Sequence, residues 1–274
     1  EKRKIVSRLR GYHGSGIMSG SLTGLPLFHR AFNLPLPDVR HTTTPHHWRG
    51  AEPGESERDF AQRCARELEA MILAEGPETV AAFIAEPVLG TGGLVPPPEG
   101  YWEAIQEVLE RHEVLLIADE VVTGFGRIGR NFGIERYGIR PDLITIAKGL
   151  TSGYLPLSGT LVGDRVWEVL EEGSRQFGPI GHGWTYSAHP LGAAAALANL
   201  DILEREDLVA WSALAGAKFQ RALHEAFDDH PLVGEVRGVG LLGALEFAPD
   251  RSGRTTFDPA LKVGPRVAAA CLEE

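Results

Sequence analysis

Apolar positions recur along this chain in two periods. Between 56 and 76, SERDFAQRCARELEAMILAEG places Phe60, Cys64, Leu68 and Met71–Ile72 at helical spacing, with Arg and Glu between them. That pattern predicts an amphipathic helix, closed by Gly76–Pro77. Short continuous apolar runs then take over. VAAFIAEP at 80–87, VLLIADE at 114–120 and DLITIAKG at 142–149 are predicted strands that end on charged residues, and LSGTLVG at 157–163 is a predicted fourth. GYWEAIQEVLERH at 100–112 reads as a helix between the first two. Apolar strands separated by helices predict an α/β sheet covered on both faces.

The flanking segments are less regular. KIVSRL at 4–9 predicts a short strand, followed by the glycine-rich turn GYHGSG. Residues 25–54 carry many Pro, His and Thr with little periodicity, and are expected to form a long irregular excursion. A loop of that length usually has a task or an embedded short helix. Helices are predicted at 189–205 and 207–228, with lengths that suit a crossover between domains. VRGVGLLGALEFAP at 236–249 starts a strand-rich unit, and DPALKVGPRVAAACLEE turns helical again.

Composition narrows the class. A chain of 274 residues can bury one large core, or one domain and part of another. Hydrophobic residues at 43% and charged residues at 23% exclude a wholly disordered protein. The net charge of -10, without a basic stripe, argues against a nucleic-acid partner. Cys64 and Cys271 form neither a disulfide framework nor a zinc site, so a reducing compartment, the cytoplasm, is expected. No run of 18 apolar residues is present, so no membrane span is expected. The chain opens on EKRKIVSRLRGYHG without an initiator methionine and stops at AAACLEE inside a predicted helix. Both ends read as interruptions of a longer chain.

Three predicted strand ends supply Glu86, Asp119 and Lys148. Taken singly, each has an ordinary explanation as a helix cap or a solvated side chain. Together they stand where α/β sheets bind ligands. A lysine in a partly dry pocket is a usable amine nucleophile and can form a Schiff base with an aldehyde. An aspartate from the next strand could keep a pyridine nitrogen protonated and make such a ring an electron sink.

The strings AEPVLGTGG, IADEVVTGFGRIGR, DLITIAKGLTSGYLPLSG and GHGWTYSAHPLG, in this order and with 29 positions from Asp119 to Lys148, resemble the class III aminotransferases. The resemblance is to the omega-amino-acid:pyruvate and amine transaminase type, and it runs over essentially the whole chain. It implies fold type I of the pyridoxal-phosphate enzymes: an α/β fold with a mixed, mostly parallel sheet flanked by helices. A large cofactor-binding domain at 1–205, lacking its N-terminal part, would be followed at 206–274 by an interdomain helix and the start of a smaller α+β C-terminal domain.

The resemblance also implies roles. Lys148 is the expected Schiff-base lysine and proton shuttle, and Asp119 the partner of the pyridine nitrogen. Tyr12, in YHG, would stack on the cofactor ring, with Val121 on the opposite face. Glu86 would lie near the substrate side and the ring hydroxyl. Thr185 would reach the cofactor phosphate of a neighbouring subunit, which implies a homodimer or a dimer of dimers; an N-terminal cap is its alternative. The implied reaction moves an amino group from an omega-amino acid, beta-amino acid or amine to a keto acid, pyruvate in the first place. Another pyridoxal-phosphate reaction (aminomutase, racemase or decarboxylase) or a non-catalytic fragment are the alternatives, since fold does not fix reaction. His13 orients neighbours or is a satisfied buried histidine. Arg127 and Arg130 bind a carboxylate or hold their loop by salt bridges, the latter preferred for Arg130. His41, His46 and His47 lack the Cys or acidic frame of a metal site, and no metal is expected.

Overall fold

A computed structural model describes residues 2–251 and 254–273. One sheet has the order β2-β1-β3-β4-β5-β6, built from β1 (Lys4–Arg8), β2 (Val39–Thr42), β3 (Val80–Ala85), β4 (Leu115–Asp119), β5 (Leu143–Ile146) and β6 (Gly159–Val162). The first five run parallel, and β6 returns antiparallel on β5. The helices are α1 (Ile17–Leu22), α2 (His47–Gly50), α3 (Glu57–Glu75), α4 (Tyr101–Arg111), α5 (Gly133–Tyr137), α6 (Asp164–Phe177), α7 (Pro190–Arg205), α8 (Leu208–Phe227) and α9 (Val263–Glu273). A separate antiparallel hairpin pairs β7 (Val233–Val239) with β8 (Leu242–Phe247). None of the described helices is long and apolar enough to cross a membrane.

Alternation along the strands divides the core. Val80, Phe83, Ala85 and Leu116 face α3 and α4, meeting Phe60, Leu68, Ile72, Trp102, Ile105 and Leu109. Ile84 points to the other side, with Leu22, Val39, Ile5 and Ile117. Fully buried side chains such as Phe60, Leu68 and Ile105 each contribute about 1.5–3 kcal/mol of transfer free energy. Cys64 belongs to this core, and burial pushes its thiol up to about 12, so it acts as a small hydrophobe. The helix α3 starts where Ser56 Oγ accepts the Asp59 N–H at 3.1 Å, and ends at Gly76, whose φ is +86°.

The excursion expected over residues 25–54 is not wholly irregular. Val39–Thr42 adds a parallel strand to the outer side of β1, with Ile5 opposite Val39. The following segment is clamped to the hairpin by charge. His46 Nε2 meets Glu235 at 2.8 Å, Arg49 meets Glu246 at 2.6 Å, and Arg237 Nη1 joins Glu235 and Glu246 at 2.9 and 2.7 Å. The guanidinium of Arg237 thus lies between the carboxylates where His46, Glu235 and Glu246 come closest together. His47 instead bonds Glu55 O at 2.9 Å, and His41 packs beside His29, so the three histidines do not converge. The sequence reading also left out α1, α5 and α6.

Two loops are fixed by close packing and by one carboxylate. The helix α8 docks on the β7–β8 turn through glycines: a Cβ on Gly216 would lie 2.7 Å from Gly240 Cα. Gly240 has φ +57° and is seated on the backbone of Ile128, whose neighbour Arg127 accepts the Leu241 N–H at 3.1 Å. Glu120, fully buried, caps α5 by accepting the N–H groups of Gly133 and Ile134 at 2.9 and 2.7 Å, and also accepts the Thr123 hydroxyl.

Gly240→Ala puts a methyl group against Ile128 in a left-handed backbone, and is expected to cost about 2 kcal/mol or more in urea denaturation. Glu120→Ala strands one buried and one half-buried N–H group and is expected to destabilise by about 2–4 kcal/mol. An unchanged urea midpoint in either variant would contradict the packing just described.

Candidate active site

Strand order decides where a ligand can sit. The chain steps from β1 outward to β2, then resumes on the other side of β1 with β3, β4 and β5. The segments leaving β1 and β3 therefore diverge and open a crevice at the carboxyl edge of the sheet. Tyr12 and His13 follow β1, Glu86 follows β3, Asp119 ends β4, and Lys148 follows β5 by two residues. Asp119 is paired with Thr145 across β4 and β5, so Asp119 and Lys148 leave neighbouring strands side by side.

Asp119 is buried and doubly held. Its Oδ1 accepts the Val121 N–H at 3.1 Å, and its Oδ2 lies 2.8 Å from His13 Nδ1. The His13 side chain is 1% exposed, and its Nε2 has no partner. Of its two expected roles, His13 therefore takes that of orienting a neighbour. Tyr12 is half-buried, with its ring edge-on to Phe28 at 5.2 Å. Its backbone N–H points to Glu86 Oε2 at 3.4 Å. The other Glu86 oxygen accepts the Gly90 N–H at 3.1 Å. Burial pushes the Glu86 carboxyl up, against the opposing charges of His13 and Arg8. Glu120 is pushed up for the same reason, against the hydrogen bonds that it accepts.

Lys148 departs from expectation in its surroundings. It is exposed in this chain rather than held in a partly dry pocket, and it opens a short 3-10 turn, Lys148–Leu150, with φ +42°. It shares a cavity of about 360 Å³ with Val121, Phe125, Arg127, Leu208 and Trp211. The turn is anchored from α7, where Asn199 Nδ2 donates to Gly149 O at 2.8 Å and to Leu150 O at 3.1 Å. Asn199 had no signal in the sequence beyond a polar residue on an apolar helix. Glu120 was equally hidden, since the helix that it caps begins 13 residues later.

Thr185 is not brought to these residues by any described hydrogen bond. It lies exposed in a turn before α7. It is not the cap of that helix either: His189 takes that place, its Nδ1 accepting the Leu191 N–H at 3.3 Å. Arg130 makes no salt bridge among the described residues, contrary to the preferred reading; its loop is held instead by the Ser212 hydroxyl donating to Gly126 O and the Leu241 N–H donating to Arg127 O. Arg127 makes none either, and lines the cavity beside Lys148.

Taken together, the neighbouring strand ends offer a primary amine, a buried carboxylate beside a histidine, a second buried carboxylate and an aromatic ring. These groups can capture an aldehyde, hold a proton on a ring nitrogen and cover a planar molecule. Comparisons with known proteins identify the family. The diaminobutyrate--2-oxoglutarate transaminase of Halomonas elongata is 64% identical over 276 residues, covering 100% of this chain and 59% of the relative. A solved structure described as directed evolution of transaminases by ancestral reconstruction is 69% identical with a TM-score of 0.98, covering 99% of this chain and 59% of its own. The omega transaminase of Pseudomonas jessenii, solved in complex with PMP, is 49% identical with a TM-score of 0.91, covering 94% and 56%. The chain thus spans somewhat over half the length of these relatives. With the class-III aminotransferase profile matching residues 1–269, this chain belongs to the class III aminotransferase family.

Proposed function

We propose that this chain is the cofactor-holding part of a pyridoxal-phosphate-dependent aminotransferase that carries an amino group from a donor with a terminal amine to a keto acid. The observation that carries the reading is the buried His13–Asp119 pair beside the strand end that launches Lys148. The donor set fits the cofactor: the buried Asp119 carboxylate ends the strand next to the one that leads into Lys148, and the buried His13 beside it keeps one ring nitrogen without a partner.

Bound pyridoxal phosphate supplies an aldehyde that takes up the amino group and a ring that accepts electrons from the donor carbon. Lys148 would hold that aldehyde and then, once displaced, move the proton at the donor carbon. Asp119, held by His13 and the Val121 N–H, would keep a proton on the pyridine nitrogen. Tyr12 would cover one ring face and Val121 the other. Glu86 would face the ring hydroxyl and the substrate side.

Thr185 would complete the phosphate site of a second copy, making a homodimer the smallest active unit. Its neighbours support a covered surface, since Trp184, Tyr186 and Phe177 are 79%, 80% and 87% exposed. Residues 1–205 would belong to the large domain, and 206–274 to the interdomain helix and small domain. The acceptors to compare are pyruvate, implied by the motif resemblance, and 2-oxoglutarate, the acceptor of the Halomonas relative. The free Cys64 and Cys271 support a reducing compartment, such as the cytoplasm.

The full-length protein with added pyridoxal phosphate is expected to show a visible band from lysine-bound cofactor. A terminal amine donor should abolish the band, and a keto acid should restore it. Lys148→Ala should lack the band. A band that forms and never cycles would replace transamination with another reaction of the same cofactor. Asp119→Asn is expected to keep the band while the rate falls by about 10²–10⁴-fold, as measured in single-turnover kinetics.

A further inference from the structure

A buried arginine is rare and must be explained by what it touches. Arg8, the last residue of β1, is 1% exposed. Its Nη2 donates to Glu86 O at 2.6 Å and lies 3.7 Å from Glu86 Oε2. Its guanidinium carbon lies 5.9 Å from the Tyr101 ring centre and 5.7 Å from that of Trp102, at the start of α4. Both rings are buried, so the cation is held by aromatic faces in place of water. The Arg8 Nε and the Tyr101 hydroxyl have no partners, so packing here does not serve to satisfy every polar atom of the pair. What the arrangement does achieve is a fixed positive charge under one carboxylate.

That carboxylate holds two backbone donors of the crevice, the N–H of Tyr12 and the N–H of Gly90. We propose that Arg8 is a positioning residue of the active site: it keeps Glu86 ionised and aimed, and through Glu86 it seats the backbone that carries Tyr12. The proposal rests on the aminotransferase reading only for the name of the site. An ionised carboxylate accepts both N–H groups at full strength, whereas a protonated one gives up part of that capacity. The charged groups facing Glu86 are Arg8 from β1, His13 from the loop after it, and Asp119 from β4. Asp119 opposes ionisation and the other two favour it. The Tyr101 hydroxyl beside Arg8 is pushed up to about 12 by burial and stays neutral.

The test is stability against urea from about pH 5 to about pH 9, without cofactor, in full-length wild type, Arg8→Met, Glu86→Gln and the double variant. Burial raises the Glu86 carboxyl above its ordinary range, so the folded state binds that proton more tightly than the unfolded chain. Stability therefore falls as pH rises from the ordinary carboxylate range through the folded value. Glu120 adds a fall of its own in every variant, and the difference between wild type and Glu86→Gln isolates Glu86. Arg8→Met is expected to carry the Glu86 fall upward by about one to three pH units. In the Glu86→Gln background the same change should move nothing.

An Arg8→Met loss that is equal at every pH, or equal in both backgrounds, would overturn the proposal and leave Arg8 as packing. Should Arg8→Met not fold, the infrared difference spectrum of wild type minus Glu86→Gln at neutral pH decides. An ionised-carboxylate band supports the proposal, and a protonated-carboxyl band refutes it. None of these readouts involves turnover, so they stand or fall apart from the spectral cycle that tests transamination.

Discussion

The strand-order reversal between β1 and β3 is the constraint from which the rest follows. A parallel sheet that grows in one direction covers its carboxyl edge with successive connections. Here the connection after β1 leaves one way and that after β3 the other, and the gap between them cannot be closed by backbone. The residues that end these strands must then be polar enough to face the gap and anchored enough to hold a geometry. The apolar runs of β3 and β4 meet the second need, because their buried side chains fix the strands from both faces.

Polar residues at the edge bring a cost that packing does not remove. Asp119, Glu86 and Glu120 are all buried carboxylates within a few residues of strand ends. Each has a different remedy. Asp119 uses a histidine and one N–H, Glu86 uses an arginine and two N–H groups, and Glu120 uses two N–H groups and a hydroxyl. Backbone donors recur in all three. They cost no side-chain entropy and cannot titrate, so they suit a site in which side-chain protons are meant to move. The sheet edge and the loop after β4 are thereby linked through carboxylates rather than through apolar contacts.

Much of the sheet was legible because its strands are apolar runs closed by charge. The parallel strand Val39–Thr42 was not, since VRHT is short, polar at three of its four positions and packed against β1, α1 and α3. The helix Asp164–Phe177 was missed for a related reason. Its half-buried positions Val166, Leu170 and Gly173 make a narrow stripe broken by glycine, while Trp167, Val169 and Phe177 are exposed. In the crevice, the charged residues themselves were readable from motif order. Their supports were not: Arg8, Glu120 and Asn199 act across 78, 13 and 50 positions of sequence, and periodicity carries no trace of such distances.

The backbone of Lys148 lies in the left-handed region, which side chains with a Cβ enter at a cost of about 1–2 kcal/mol. Asparagine or glycine would fit that turn with less strain. On the proposed reading, this strained turn stands where the reaction needs an amine. A glycine here would relax the turn and remove the amine that the proposed reaction uses, so stability and the proposed chemistry pull this position in opposite directions. Asn199, which ties down the carbonyls of Gly149 and Leu150, fixes the turn from α7.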